Sequence, residues 1–309
     1  MRFAAVEGGG TSWAVAIMED TCDNIIERTR FTTTTPEETL GSIKAWLSQR
    51  RFDAVGVASF GPVDANLTSE HFGYITSTPK PNWAFVNVIG LLGIREMNVP
   101  FRFDTDVNAP AYAEYVLDSD KSIESCAYIT VGTGIGVGLV CNGKTVHGLM
   151  HPEAGHVRVA TNPNGDTFAG TCPFHGNCIE GMCASGALRA RKGGISVDEL
   201  AKLPDDDPVW DQCAYQLGQL CANLVLIASP DRIRFGGGIM NRLCLYPKIR
   251  TCVQESLNGY IQKDVLTTAA INDYIKASHW GPNAGLVGAA FLAKIAFETD
   301  QPTVFRSAP

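Results

Sequence analysis

Residues 3–17 read FAAVEGGGTSWAVAI, and the architecture of the chain can be worked out from this pattern. Two short apolar runs flank EGGGT at positions 7–11, which predicts a β-hairpin with a glycine-rich turn. Such a turn presents backbone N–H groups without obstruction from side chains, and Thr11 adds a hydroxyl, so it suits phosphate oxygens. An ordinary hairpin turn is the alternative, because many hairpins carry glycine. No helical pattern follows the glycines, which argues against a dinucleotide-binding βαβ unit.

The same pattern appears a second time at residues 126–141, CAYITVGTGIGVGLVC, with its glycine turn at 132–136. Two such hairpins, each near the start of a half-chain, predict an α/β protein of two related lobes that face a cleft. Each lobe would offer a phosphate loop, and the duplication favours a nucleotide over a dinucleotide. A third glycine-rich strand end, FGGGI at 235–239, could lie against the base or the ribose.

Two further buried strands are predicted, and each ends in a polar loop. Residues 54–59 lead into FGPVD, and residues 101–103 lead into DTDVN. In α/β folds, ligands bind at such carboxyl ends of strands. Both Asp104 and Asp106 are candidates, and we expect only one of them to face a given cleft. That carboxylate could be a general base for a hydroxyl or a helix cap.

Loops and helices are predicted around these strands. The proline-rich segment 76–83, TSTPKPNW, is expected to be an ordered loop whose Asn82 either binds sugar hydroxyls or forms a turn. Apolar residues three and four apart over 217–228 predict an amphipathic helix that ends before Pro230. Residues 281–296 predict a loop followed by a terminal helix.

The stretch 147–180, HGLMHPEAGHVRVATNPNGDTFAGTCPFHGNCIE, predicts a metal site. Cys172, His175 and Cys178 follow the pattern C-x2-H-x2-C, so one tight loop delivers three zinc ligands. A tetrahedral Zn2+ needs a fourth donor, and His156 is the nearest upstream imidazole suited to that role.

Ordinary buried thiols are the alternative to a metal site, but a Cys/His mixture at these spacings rarely arises by accident. A catalytic zinc usually keeps one position for water, whereas two Cys and two His close the shell. We therefore expect a structural Zn2+ that holds Glu153 and Glu180 near one another. TNPNGD at 161–166 is a turn former that can fold His156 back onto the cysteine loop. HPEAGH is not the H-E-x-x-H protease motif, because its histidines are five apart.

Length and composition limit the class of protein. A chain of 309 residues with scattered cysteines and no disulfide framework is expected to form two domains in the cytosol. No signal peptide or membrane-spanning window is recognisable. The net charge of −7 and the lack of a Lys/Arg cluster argue against nucleic-acid binding. We expect lobes at 1–116 and 117–283, with helix 284–298 packing back on the first, the zinc module 151–180 in the second, and a frayed tail from Thr299.

Together these stretches resemble the fructokinases of the ROK sugar-kinase family, which have the actin-like (ribonuclease H-like) fold of acetate and hexose kinases. The resemblance covers nearly everything from Val6 to Ala296. Its motifs follow the family's order: EGGGT (7–11), SFGPVD (59–64), TPKPNW (78–83), DTDVN (104–108), GTGIGVG (132–138), HPEAGH (151–156) and CPFHGNCIEG (172–181).

This resemblance implies phosphorylation of the 6-hydroxyl of D-fructose by ATP with Mg2+, and it implies that Asp106 is the general base. The positions that it implies for sugar contacts are Asn82, Asp106, Glu153, His156 and Glu180. The positions that it implies for phosphate and adenosine contacts are Gly9, Gly10, Thr11, Thr133, Gly134, Gly237 and Gly238.

Other functions are compatible with the same resemblance. A kinase of mannose, glucose or an amino sugar is the main alternative to a fructokinase. A sugar-sensing repressor is less favoured, because the chain has no room for a helix-turn-helix before its first strand. The family also implies a homodimer. Glu7 stands where the wider family often has Asp, and Ser12 where the fructokinase branch commonly has Lys.

Overall fold

The computed structural model describes residues 1–117, 123–160 and 165–299. The turn predicted at 161–166 and the frayed tail predicted from Thr299 lie largely outside these residues. The chain divides into two compact units. Unit 1 comprises Met1–Leu117, Thr145–Pro152 and the chain from Asn283, and unit 2 comprises Asp118–Lys144 and Glu153–Pro282.

Strands and helices alternate along the described residues. The strands are β1 (Arg2–Gly8), β2 (Ser12–Glu19), β3 (Ile25–Thr32), β4 (Ala54–Ser59), β5 (Tyr74–Ile75), β6 (Val86–Asn87), β7 (Phe101–Thr105), β8 (Cys126–Val131), β9 (Ile135–Cys141), β10 (Lys144–Thr145), β11 (Ile233–Gly236) and β12 (Ile275–Ala277). The α-helices are α1 (Pro36–Ser48), α2 (Val88–Leu91), α3 (Asn108–Val116), α4 (Ile179–Cys183), α5 (Ser185–Arg191), α6 (Val197–Lys202), α7 (Pro208–Ala228), α8 (Leu245–Leu257), α9 (Asp264–Thr267), α10 (Ile271–Tyr274) and α11 (Ala284–Glu298).

The sheet of unit 1 has the strand order β3-β2-β1-β4-β7. β1, β2 and β3 pair antiparallel, whereas β4 lies parallel to β1 and β7 lies parallel to β4. Strand β4 reads AVGVAS and is buried along its whole length, as expected for a parallel strand that is covered on both faces. Alternate residues of β1 and β4 enter two separate cores, one shared with α1 and the other with α11.

Helix α11 lies against β4 and α3 with almost no space between the backbones. A Cβ atom added at Gly56 would lie 1.8 Å from the carbonyl oxygen of Ala289. A Cβ atom added at Gly288 would lie 2.4 Å from the carbonyl carbon of Ala109. The small residues therefore allow the close packing: a side chain at Gly56 would push the helix off the sheet, and one at Gly288 would push it away from α3.

The sheet of unit 2 has the order β10-β9-β8-β11-β12. β8 and β9 pair antiparallel, and β11 lies parallel to both β8 and β12. This is the same arrangement as in unit 1: a hairpin, followed by two parallel strands on the other side of its first strand. The α/β fold and its duplication, which were predicted from the two glycine-turned hairpins, are confirmed.

Helix α7 contains the predicted periodic segment 217–228 and starts earlier, at Pro208, with Asp207 as its N-cap. It packs on α8, where a Cβ atom added at Gly218 would lie 2.5 Å from that of Cys252. The helix ends at Ala228, two residues before Pro230, as the proline predicted. Neither α7 nor any other helix in the described part of the chain combines the length and hydropathy needed to cross a membrane.

The unit boundaries differ at one segment from the lobes expected at 1–116 and 117–283. Thr145–Pro152 belongs to unit 1, not to the second lobe. The physical reason is that His147 bonds to Asp104 on β7 and His151 bonds to the backbone after β4.

Candidate active site and metal site

The carboxyl ends of three parallel strands in unit 1 carry the candidate phosphate turn and the candidate base. Gly8, Ser59 and Thr105 are neighbours in the register of β1, β4 and β7. Just beyond them, the Phe60 N–H donates to the carbonyl of Gly8 at 2.8 Å, and the Asp106 N–H donates to the carbonyl of Ser59 at 2.9 Å. The strand pairing therefore delivers the glycine turn and Asp106 to one edge of the sheet.

The two aspartates of DTDVN are in different environments. Asp104 is buried, and its Oδ1 accepts from the Thr105 N–H at 2.7 Å and from Asn108 Nδ2 at 3.0 Å. Its Oδ2 lies 2.9 Å from His147 Nε2. Asp106 is half-buried at the strand end. Asp104 is thus committed to holding the local structure, and Asp106 is the better placed of the two to meet a substrate.

The first glycine turn is fixed from one side by a threonine. Gly9 donates its N–H to the carbonyl of Ser12 at 3.0 Å. Thr33 donates its hydroxyl to the carbonyl of Gly9 at 2.9 Å and its N–H to the carbonyl of Thr11 at 3.0 Å. Gly10 and Thr11 are exposed at the tip. The turn is therefore held by its carbonyls, and its tip is open to a ligand.

Glu7, the residue before this turn, is enclosed between the sheet and helix α11. A Cβ atom added at Gly285 would lie 2.1 Å from its Oε1, so the glycine makes room for the carboxyl group. Burial raises the pKa of Glu7 to about 7, and the charge of Arg30 opposes that rise. Arg30 also donates to the Ser12 hydroxyl at 3.2 Å, which places a cation beside the first glycine turn.

The loop that carries Asn82 is anchored by stacked aromatic rings. Trp83 is buried and stacks on Trp13 at a centroid distance of 5.6 Å, and it meets the edge of Phe60 at 5.3 Å. Its indole N–H donates to the carbonyl of Thr34 at 2.9 Å. Asn82 is exposed, with a left-handed φ of 68°. Trp83 therefore fixes the place of Asn82 near the loop that follows β4.

Two histidines that sequence reasoning left without a role hold Thr145–Pro152 in unit 1. The Nε2 atom of buried His151 accepts from the Val63 N–H at 3.0 Å, and Gly61 leaves room for its ring. Burial lowers the pKa of His151, which keeps it neutral as this acceptor role requires. The hydrogen bond with Asp104 raises the pKa of His147. The H-x3-H spacing directly before PEAGH was the available signal.

Unit 2 brings the four predicted metal ligands together. The donor atoms of His156, Cys172, His175 and Cys178 all lie within 4.8 Å of one another. His156 Nδ1 lies 3.8 Å from Cys172 Sγ and 3.5 Å from Cys178 Sγ, and His175 Nδ1 lies 3.6 Å from Cys172 Sγ. Tetrahedral zinc with ordinary Zn–N and Zn–S bonds places its ligands roughly 3.3–3.8 Å apart. The cluster is a possible metal site, and its donor set and spacing fit Zn2+.

The cysteine loop has a local reason to take this shape. Cys172 and Gly176 exchange backbone hydrogen bonds of 3.2 and 2.9 Å, and Gly176 has the left-handed φ of 62° that favours glycine. Cys178 is the N-cap of α4, with its Sγ accepting from the Gly181 N–H at 3.5 Å. The cysteine pair is therefore presented by one closed turn and one helix start.

The two candidate sugar glutamates of unit 2 lie beside this cluster. Glu153 precedes the 3-10 turn Ala154–His156, and Glu180 lies in the first turn of α4. Burial raises the pKa of Glu153 to about 7, and the nearby charge of Glu180 adds to the rise. The two carboxyl groups are therefore near enough to interact electrostatically.

The second glycine turn and the third glycine segment share one edge of the unit 2 sheet. Thr133 and Gly134 lie between β8 and β9, and β11 ends beside β8, with Gly236 opposite Thr130. Gly237 has a φ of 87°, and a Cβ atom there would lie 2.3 Å from the carbonyl oxygen of Val131. Gly238 follows it, exposed. The candidate phosphate and adenosine residues of unit 2 are thus adjacent.

These groups lie in a chain whose family can be stated. Residues 3–296 match the model of the ROK family. The chain belongs to the ROK family. It is 40% identical over 259 residues to a fructokinase of Lactococcus lactis subsp. cremoris, covering 84% of this chain and 86% of that one. It is 36% identical over 298 residues to a fructokinase of Pediococcus pentosaceus, covering 96% and 99%.

Solved structures of the ROK family show the same fold. The crystal structure of a ROK family glucokinase from Streptomyces griseus, in complex with glucose and AMPPNP, has a TM-score of 0.71 to this chain. The two chains are 24% identical, and the match covers 96% of this chain and 100% of the other. The match of residues 3–296 to the family model confirms the family predicted from the order of the motifs.

The buried carboxyl group of Glu7 should make stability depend on pH. Its folded pKa is raised from 4.5 to about 7, so its stabilising contribution is present below pH 4.5 and is lost as the pH rises through about 7. Glu7→Gln removes this loss. Relative to the wild type, we expect Glu7→Gln to increase the free energy of unfolding by about 1–3 kcal/mol more at pH 8 than at pH 5.

Urea unfolding of the ligand-free protein at the two pH values measures this difference. Glu255→Gln, at an exposed position of α8, is the matched control and should change stability by the same amount at both. An equal effect of Glu7→Gln at pH 5 and pH 8 would contradict the buried state of this carboxyl group.

Proposed function

We propose that this chain is a fructokinase, which transfers the γ-phosphoryl group of ATP to the 6-hydroxyl of D-fructose. As a member of the ROK family with kinase relatives along nearly its whole length, the chain is a sugar kinase. The observation that carries the finer assignment is the identity of 36–40% to proteins named fructokinase. Relatives named N-acetylmannosamine kinase are less similar, at 28% and 27% identity.

In this proposal, Asp106 is the general base. Phosphoryl transfer needs little covalent help, so positioning and charge neutralisation carry most of the catalysis, and a base at the attacking hydroxyl completes it. Asp106 is a half-buried carboxylate directly after β7, the parallel strand at one edge of the sheet, and its backbone N–H donates to the carbonyl of Ser59. Its neighbour Asp104 already binds Thr105, Asn108 and His147, which supports Asp106 over Asp104 for this role.

The glycine segments of the two units are the proposed nucleotide contacts. Phosphate oxygens would bind the N–H groups and hydroxyls of the two glycine turns, and Mg2+ would accompany the ATP and neutralise its charge. The residues assigned to this role are Gly9, Gly10, Thr11, Thr133 and Gly134, with Gly237 and Gly238 on the adenosine side.

The proposed sugar contacts are mainly carboxylates and an amide, which recognise hydroxyl groups. They are Asn82, Asp106, Glu153, His156 and Glu180. The raised pKa of Glu153, about 7, allows it to donate as well as accept a hydrogen bond near neutral pH. Buried groups of this kind discriminate strongly among sugars, because an epimer leaves one of them unpaired.

The Cys/His cluster is proposed to hold a structural Zn2+. Two Cys and two His fill the four positions of a tetrahedral ion, so none is left for a water or a substrate. The ion would tie His156 to the cysteine loop and so fix Glu153 and Glu180, which lie on either side. We also propose a homodimer, as the family implies.

The substrate assignment is tested by turnover across sugars. With ATP and Mg2+, an ADP-coupled assay should give a kcat/KM for fructose at least about tenfold above those for mannose, glucose and N-acetylmannosamine, because one unpaired buried polar group has at least that effect. A higher kcat/KM for another hexose would replace fructose by that sugar and leave the kinase assignment in place.

Replacement of the base should remove turnover. Asp106→Asn keeps the size of the side chain and removes its ability to take a proton. We expect kcat to fall by roughly 10²–10⁴-fold, with fructose affinity by calorimetry changed much less. Asp23→Asn, at an exposed position, is the control and should keep normal turnover. A kcat within threefold of wild type for Asp106→Asn would exclude Asp106 as the base.

The metal proposal is tested by elemental analysis together with thermal unfolding. Freshly purified protein should contain one zinc per chain, and Cys172→Ser should lose it. Its Tm should fall by at least about 5 °C, since metal binding contributes to folding and 1 kcal/mol shifts a domain of this size by about 2–4 °C. Cys141→Ser, at a half-buried strand position, should keep both the metal and the Tm. Wild-type protein without zinc would refute the site.

A further inference from the structure

We propose that Glu180 is a positioning residue for the nucleotide: its carboxylate holds the second glycine turn, Gly132–Gly134, in the shape that receives phosphate. This role is additional to the sugar contact assigned above and rests on the proposed kinase function. It would make one side chain of α4 responsible for both substrates.

The first observation is a direct bond between the carboxylate and the turn. Glu180 Oε2 accepts from the Ile135 N–H at 3.1 Å, at the point where the turn enters β9. A Cβ atom added at Gly134 would lie 2.6 Å from the same oxygen. Gly134 is therefore needed at this position because the carboxylate lies against its backbone. A glutamate that only contacted sugar would have no need of this contact.

The second observation is that the other end of the turn is held by the same segment of chain. The Ser185 N–H, at the start of α5, donates to the carbonyl of Gly132 at 2.8 Å. Within the turn, the Gly132 N–H donates to the carbonyl of Gly134 at 2.9 Å. The Ala184 N–H donates to the carbonyl of Glu180 at 3.0 Å and so joins the two anchors. Hydrogen bonds to α4 and to the start of α5 thus hold the two ends of the turn.

The third observation concerns which N–H groups remain for a ligand. Glu180 occupies the N–H of Ile135. Within the described residues, the N–H groups of Thr133 and Gly134 donate to no protein acceptor. Consecutive N–H groups in a turn are a recurrent binding site for anions. By fixing Ile135, the carboxylate defines the conformation in which Thr133 and Gly134 present their N–H groups.

Helix α4, which carries Glu180, is also connected to the Cys/His cluster. Cys178, two residues before Glu180, caps α4 through the Gly181 N–H, and the Gly181 carbonyl accepts from the Thr171 N–H at 2.9 Å. The closed cysteine loop therefore sets the position of the first turn of α4. The cluster would therefore influence nucleotide binding by positioning Glu180, in addition to its proposed effect on the sugar contacts.

The experiment measures nucleotide binding without any sugar. Calorimetry with a non-hydrolysable ATP analogue and Mg2+ should show that Glu180→Ala raises the Kd for the analogue at least tenfold. Glu180→Gln keeps an oxygen acceptor for the Ile135 N–H and should bind the analogue within about threefold of wild type. Gly186→Ala, in α5 with open space around the added methyl group, is the control and should bind normally. Metal content and Tm are measured for each variant.

A double variant keeps the test decisive if Glu180→Ala does not fold. Gly134→Ala should weaken analogue binding at least tenfold, because its methyl group displaces the carboxylate. Glu180→Asp in the same chain should restore part of this loss, since the shorter carboxylate leaves room for the methyl group. Losses that are merely additive in the double variant would show that the two residues do not act through this contact, and the inference would be wrong.

The outcomes separate this inference from the kinase assignment. If Glu180→Ala binds the analogue within twofold of wild type and loses only fructose affinity, Glu180 is a sugar ligand alone and the inference is overturned while the proposed function stands. If the wild-type chain binds no ATP analogue, the proposed function fails and this inference fails with it.

Discussion

The parallel register of β1, β4 and β7 is the constraint on which the rest of unit 1 depends. Gly8, Ser59 and Thr105 stand side by side, so the turn, the loop and the aspartate that follow them leave the sheet at one edge. Helix α11 packs on the middle of this sheet, where Gly56 of β4 allows the backbone of Ala289 to come into contact with the strand. Small residues in the sheet and helix therefore determine where the polar strand ends lie.

Unit 2 repeats this sheet but anchors its polar loops differently. Loops at strand ends have little core of their own, so they need other contacts to hold a fixed shape. In unit 1 the anchors are the hydrogen bonds in which His147 and His151 take part and a stack of aromatic rings. In unit 2 the anchors are the Cys/His cluster and the bond from Glu180 to the second glycine turn. The same architecture thus uses polar and aromatic contacts in one half and a possible metal site in the other.

Sequence reasoning succeeded where the determining contacts are local. Both hairpins and the C-x2-H-x2-C loop are specified within about twenty residues, and their patterns predicted them. Contacts between distant segments were missed. Nothing near His151 in the sequence points to the Val63 N–H, which lies 88 positions away. Nothing near Glu7 in the sequence points to Gly285, which makes room for the carboxyl group because it has no side chain. Single-sequence patterns carry periodicity and spacing, but not which distant backbone group a side chain will reach.

In each unit, neighbouring carboxylates are separated into different roles by what they bind. Asp104 is saturated by two N–H donors and a histidine, while Asp106 stays half-buried at the strand end. Glu180 bonds the glycine turn, while Glu153, buried and close to that charge, has a pKa near 7. Two carboxylates with the same environment would compete for one role and repel each other. In each pair, the carboxylate that accepts from N–H groups holds the local structure, so the proposed role of its neighbour depends on these structural bonds.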